Sequence, residues 1–117
     1  MTQAQVGDVL LMIYFPHQEE KTEGEARWII VTEDLQSDYE IIPLTTQTHQ
    51  TSRYEKTITI LKNSNEGKQM GLTSDSLIIC DRNIQVRKFM LNRPPCVKKG
   101  DCPQSLLDSI IELIQSK

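Results

Sequence analysis

The sequence predicts a mainly β domain of the α+β class, a small antiparallel meander or barrel with one amphipathic helix at its C-terminal end. Three observations carry this. Apolar runs of strand length, rich in β-branched and aromatic residues, recur at intervals of roughly 10–15 residues through the first two-thirds of the chain. No helical period separates them, which argues against strand–helix–strand units and a parallel sheet. Beyond Asp101 the apolar residues switch to the helical spacing of about 3.6.

The elements follow in order. Val9-Leu10-Leu11-Met12-Ile13-Tyr14-Phe15, closed by Pro16, is the first strand, Ala26 to Thr32 the second and Tyr39 to Thr45 the third. Thr57-Ile58-Thr59-Ile60-Leu61 alternates with period 2, and Ser76 to Cys80 and Ile84 to Val86 flank the turn Asp81-Arg82-Asn83, so the strands occupy residues 8–90. Pro43 cannot donate to a ladder, so its run is expected at an edge or a bulge. His17 to Glu25 is a polar, acidic loop, longer than a tight hairpin needs. Asn92-Arg93-Pro94-Pro95 opens an irregular connector over 92–101. A helix over about 103–116 presents Leu106, Leu107, Ile110, Ile111, Leu113 and Ile114 to one side, with Asp101 or Cys102 as N-cap and Pro103 in its first position.

A chain of 117 residues fits one domain, 1–117, with one core. Leu, Ile, Val and Phe make up about 26% of it, above the roughly 20% below which disorder is the better reading. A net charge of −3 excludes nucleic-acid binding by total charge alone. Eight acids and two bases lie between Glu19 and Glu40, and six bases and no acid between Arg82 and Lys99, a pattern that suggests two surfaces of opposite sign. Cys80, Cys96 and Cys102 contain no C-x-x-C pair and support neither a disulfide framework nor a four-ligand zinc site. With no basic N-terminal region and no apolar run near 18 residues, a cytoplasmic protein with no membrane partner is expected.

Motifs for phosphate cradles, nucleophile elbows and zinc hydrolases are absent, and His17 and His49 are the two histidines. No metal or other cofactor is therefore expected. What remains is polar groups at strand ends: Arg27, Thr45 and Thr46, and Asp81-Arg82. Each has an ordinary explanation, respectively a solvated strand-opening arginine, β-propensity and a turn.

Their order is more specific than any one of them. Gly7-Asp8-Val9 precedes an apolar strand, and an acidic loop leads to Arg27 and Ile29-Ile30-Val31. Ile41-Ile42-Pro43-Leu44-Thr45-Thr46-Gln47 follows, then Gly71-Leu72-Thr73-Ser74-Asp75-Ser76-Leu77-Ile78-Ile79-Cys80-Asp81. This succession, from Gly7 to the C-terminal helix, resembles the MazF/PemK family of bacterial toxins. The resemblance implies an SH3-like small barrel of the PemK/CcdB type with a terminal helix, a homodimer, and metal-independent, sequence-specific cleavage of single-stranded RNA. It also implies a cognate antitoxin protein that neutralises the activity.

On the same resemblance, Arg27 matches the arginine that opens the second strand, Thr45 the threonine of the P-[LVI]-T-[ST] segment, and Asp81 an acidic residue that contributes to the active site in some members. Thr46 and Gln47 fall where the family lines its RNA pocket, and His17 falls in the first loop, where some members place a functional histidine. Trp28 stands where members usually have Pro, and Ile79 where some have a basic residue, for which Arg82 is the nearest substitute. Trp28 reads either as a base-stacking ring or as a core or dimer-interface aromatic.

The chemistry is compatible with these residue types. In metal-free cleavage the ribose 2′-oxygen attacks phosphorus and the bond to the 5′-oxygen breaks, leaving a 2′,3′-cyclic phosphate and a 5′-hydroxyl. Arg27 offers a planar fork to two phosphate oxygens, Thr45 a hydroxyl, and Asp81 a base or a group that orients Arg27 or Arg82. Two other readings are kept. One is the same fold acting without catalysis by binding a protein partner, an antitoxin or a gyrase-like target; the other is an unrelated SH3-like domain whose 82–99 segment binds nucleic acid, RNA or DNA, or an acidic protein.

Overall fold

A computed structural model describes residues 4–12, 27–46, 48, 54–92 and 96–116. Within them the chain forms β1 (Asp8–Met12), β2 (Arg27–Asp34), β3 (Asp38–Thr45), β4 (Thr57–Ile60), α1 (Asn65–Met70), β5 (Ser76–Ile79), β6 (Ile84–Arg87), α2 (Lys88–Leu91), β7 (Val97–Asp101) and α3 (Gln104–Gln115). The strands make an antiparallel sheet in the order β4-β5-β3-β2-β1-β7, and β6 also pairs with β3. The mainly β expectation holds, and Ile13 to Phe15 lie outside the described residues.

Apolar runs without alternation mean a sheet buried on both faces, because successive side chains point to opposite sides. On the first face Val9, Ile30, Ile42, Leu44 and Ile78 pack with Met70 of α1 and with Leu107 and Ile110 of α3. On the second, Leu10, Met12, Ile29, Val31, Tyr39 and Ile41 pack with Val86 of β6 and Leu91 of α2.

β3 organises the sheet. One of its edges follows β2 from Tyr39 to Pro43, with Thr32 as the extra residue of a bulge. The other edge changes partner: β6 pairs with Asp38 to Ile41, and β5 with Leu44 and Thr45. Pro43 thus lies in a central strand, away from both an edge strand and the bulge, which falls at Thr32, whereas an edge or bulge position was expected. It is tolerated because Ile42 and Pro43 fall in the gap between β6 and β5, where that edge carries no ladder.

Three further expectations are corrected. The irregular connector over 92–101 contains β7, an antiparallel neighbour of β1 that its sequence, Val-Lys-Lys-Gly-Asp, does not announce. Lys98 ties it to β1 through Asp8 at 3.2 Å and pairs within β7 with Asp101 at 2.9 Å. Two short helices interrupt the strand region. In α1, Ser64 Oγ accepts the Gly67 N–H at 3.0 Å and Gly71 closes the C-terminus with φ 74°. Finally, α3 begins at Gln104 with Pro103 in the cap position, so Asp101 stays in β7 and neither Asp101 nor Cys102 is the cap.

The charged segments do not form two separate surfaces where they are described. The β3–β6 register sets Asp38 opposite Arg87, and the two side chains lie 3.7 Å apart. Lys88 reaches Asp34 at 2.6 Å and covers the Tyr39 ring at 5.0 Å from its centroid. The Lys88 ammonium, with the Gln36 N–H, holds the exposed Asp34 carboxyl below its ordinary value. Acidic and basic stretches are thus strand neighbours.

Candidate functional site

Of the residues singled out in the sequence that the structure describes, Arg27, Trp28, Thr45 and Thr46 stand at one end of the sheet, and Asp81 and Arg82 do not. Arg27 opens β2 directly opposite Met12, and Thr45 closes β3 directly opposite Leu77. Ile29 pairs with Pro43, and that register continued by two residues sets Arg27 level with Thr45 on the neighbouring strand. Adjacent strands run about 4.8 Å apart, so one row crosses β1, β2, β3 and β5 as Met12, Arg27, Thr45 and Leu77. Met12 and Leu77 are buried, whereas Arg27 and Thr45 are half-buried, with Arg27 Nε out of contact with solvent. Arg27 and Thr45 thus occupy neighbouring strand positions, flanked on the same row by the buried Met12 and Leu77.

Alternation puts Arg27 on the face of Ile29 and Val31, and Trp28 on the opposite one. Trp28 accordingly packs against the first core cluster. It is half-buried there, on the face opposite that of Arg27. Thr46 is exposed one residue beyond β3. Gln47, His17 and His49 lie outside the described residues.

Asp81 and Arg82 are the exceptions. They sit in the turn between β5 and β6, beside the point where β3 changes partner at Ile41. Ile41 is four residues along β3 from Thr45, roughly 13 Å of extended chain. Asp81 therefore stands at a different level of the sheet from Arg27 and Thr45. Asp81 Oδ2 accepts the Glu55 N–H at 3.1 Å, while its Oδ1 is buried without a hydrogen bond. The Arg82 guanidinium lies over the Tyr54 ring, 5.4 Å from the centroid. Next to it, Lys56 donates to the Ser116 carbonyl at the end of α3, and its own carbonyl accepts the Cys80 N–H at 2.8 Å. Tyr54 was not legible as a site residue: nothing in the chain ties an aromatic at 54 to an arginine at 82 until β4 and β5 pair.

The three thiols are free. Burial raises Cys80 and Cys96 to about 11 and Cys102 to about 12, with the neighbouring Asp81 carboxylate adding to the effect at Cys80. The thiolate is the reactive form, so native protein at pH 8 is expected to react with iodoacetamide on the order of a hundredfold more slowly than free cysteine, and at the ordinary rate in denaturant. Mass spectrometry against time checks this; fast labelling of any one thiol in the native protein would contradict it.

Among the described residues no three His, Cys, Asp or Glu side chains converge to hold a metal ion, and no helix is long and apolar enough to cross a membrane. No model of a known protein family matches the chain, and no curated protein matches it.

Proposed function

We propose that the chain is a metal-independent endoribonuclease for single-stranded RNA, the toxin of a toxin–antitoxin pair of the MazF/PemK kind. On this reading the sheet and helices form the SH3-like barrel of that family, and the protein acts as a cytoplasmic homodimer held in check by its antitoxin. The observation that supports the reading is the row Met12, Arg27, Thr45, Leu77, in which the β2–β3 register, continued by two residues, sets an arginine and a threonine at neighbouring strand positions. A phosphodiester bound there meets two donors suited to its oxygens, and the fork of Arg27 is matched to the charge that builds on them as the 2′-oxygen attacks. Apolar neighbours strengthen that interaction by excluding water.

The test is incubation of the purified protein with a long single-stranded RNA in EDTA, beside an Arg27→Ala variant whose fold is verified by circular dichroism. Discrete products with 5′-hydroxyl ends, lost in the variant, are the expected result. A second reading has its own observation: Asp81 stands in the turn between β5 and β6, at a different level of the sheet from Arg27 and Thr45, and its carboxylate accepts the Glu55 N–H. Intact RNA with a folded protein would favour that reading, a related fold that works by binding a protein partner.

A further inference from the structure

Asp81, Arg82, Tyr54 and Glu55 form a second polar cluster, set apart from Arg27 and Thr45. Its members meet through pairing of β4 with β5, which brings Thr57 opposite Ile79 and so carries residues 54–56 alongside 80–82. Arg82 is exposed and its guanidinium is backed by the half-buried Tyr54 ring, within the roughly 6 Å at which a cation and a ring attract. An exposed guanidinium backed by a ring in this way offers a surface on which an unpaired nucleobase stacks, since every base presents a π-face. The Asp81 carboxylate has a different task. Its Oδ2 takes the backbone N–H of Glu55, the residue after Tyr54, and so pins the segment that places the ring under Arg82.

We infer that Arg82 on Tyr54 is a stacking platform for a base of single-stranded RNA, and that Asp81 is a positioning residue for it rather than a carrier of protons. The inference rests on the ribonuclease reading above and adds to it a second contact with the strand. The roughly 13 Å along β3 between Thr45 and the level of Asp81 is a span that a short stretch of extended strand covers, so the platform reads a base near the scissile phosphate and not at it.

The probe is a fluorescein-labelled 2′-O-methyl RNA of mixed sequence, which lacks the attacking hydroxyl, with binding followed by anisotropy at two salt concentrations and cleavage of unmodified RNA measured in parallel. Tyr54→Ala and Arg82→Ala are each expected to weaken binding about tenfold, the effect of one stacked base, and to raise KM more than they lower kcat. Tyr54→Phe keeps the ring and is expected to bind more tightly than Tyr54→Ala. Asp81→Ala is expected to behave like Tyr54→Ala, whereas Asp81→Asn, whose amide oxygen accepts the same N–H, is expected to recover most of the lost affinity. Loss of kcat in Asp81→Asn with binding intact would overturn the positioning role and return Asp81 to proton transfer. Unchanged affinity in Tyr54→Ala and Arg82→Ala would overturn the platform, as would a wild-type protein with no affinity for the probe. If the wild type binds and these variants do not, yet no RNA is cut, the ribonuclease reading fails and the platform stands.

Discussion

Gly71→Ala is expected to lower the stability of the fold by more than about 3 kcal/mol, a large part of the roughly 5–15 kcal/mol available to a domain of this kind. Two costs act at the same atom. Gly71 closes α1 at φ 74°, a conformation that costs a residue with a Cβ about 1–2 kcal/mol. The added Cβ would also overlap the carbonyl oxygen of Lys99, which is backbone in β7 and cannot swing aside. The approach is mutual, because a Cβ on Gly100 would run into the backbone of Gln69 and Met70. The end of α1 and the bulged β7 are thus in backbone contact, and Met70, fully buried in the first cluster, is the side chain this contact sets in place. Urea unfolding followed by fluorescence checks the prediction: the midpoint should fall with an unchanged slope. A variant as stable as the wild type would mean that α1 can withdraw from β7 at little cost.

The second large effect is expected in activity. Arg27→Lys keeps a positive charge at the start of β2 but replaces a planar fork with a single ammonium, and on the ribonuclease reading proposed above, cleavage is expected to fall by roughly a hundredfold, the scale of removing one preorganised donor from a developing oxyanion. The loss should appear in kcat more than in KM, because a lysine still attracts the ground-state phosphate. Urea unfolding of the same variant separates a site effect from a fold effect: Arg27 lies opposite the buried Met12, and a fall in midpoint would reveal lost packing of its aliphatic stem. Activity equal to wild type would remove Arg27 from the chemistry and with it the main support for the ribonuclease reading.

The parts legible in the sequence were those set by local periodicity. β2, β3 and β5 match the predicted runs to within about two residues, and the six apolar positions of α3 are all turned at least partly away from solvent. Two-sided burial followed from the same runs, since Ile29-Ile30-Val31 and Ile41-Ile42 leave no polar face. α1 and β7 left no such trace. α1 buries only Gly67 and Met70, and no side chain of β7 is fully buried, so neither carries a hydrophobic period to find. Both are held by backbone approach at glycines, which a pattern of side chains does not record.

The candidate site divides in the same way. That Arg27 and Thr45 stand at the ends of strands is written in the chain, because each closes or opens an apolar run. Their arrival in one row, the turning of Trp28 to the opposite face and the displacement of Asp81 toward Tyr54 and Arg82 are consequences of pairing register. Residue type and period, which act over a few neighbours, determined the strands other than β7, the terminal helix and the polar groups at their ends. Which strand lies beside which, and therefore which of those groups meet, was decided only when β3 took β2 on one edge and β6 and β5 on the other, a choice made by contacts between residues far apart in the chain.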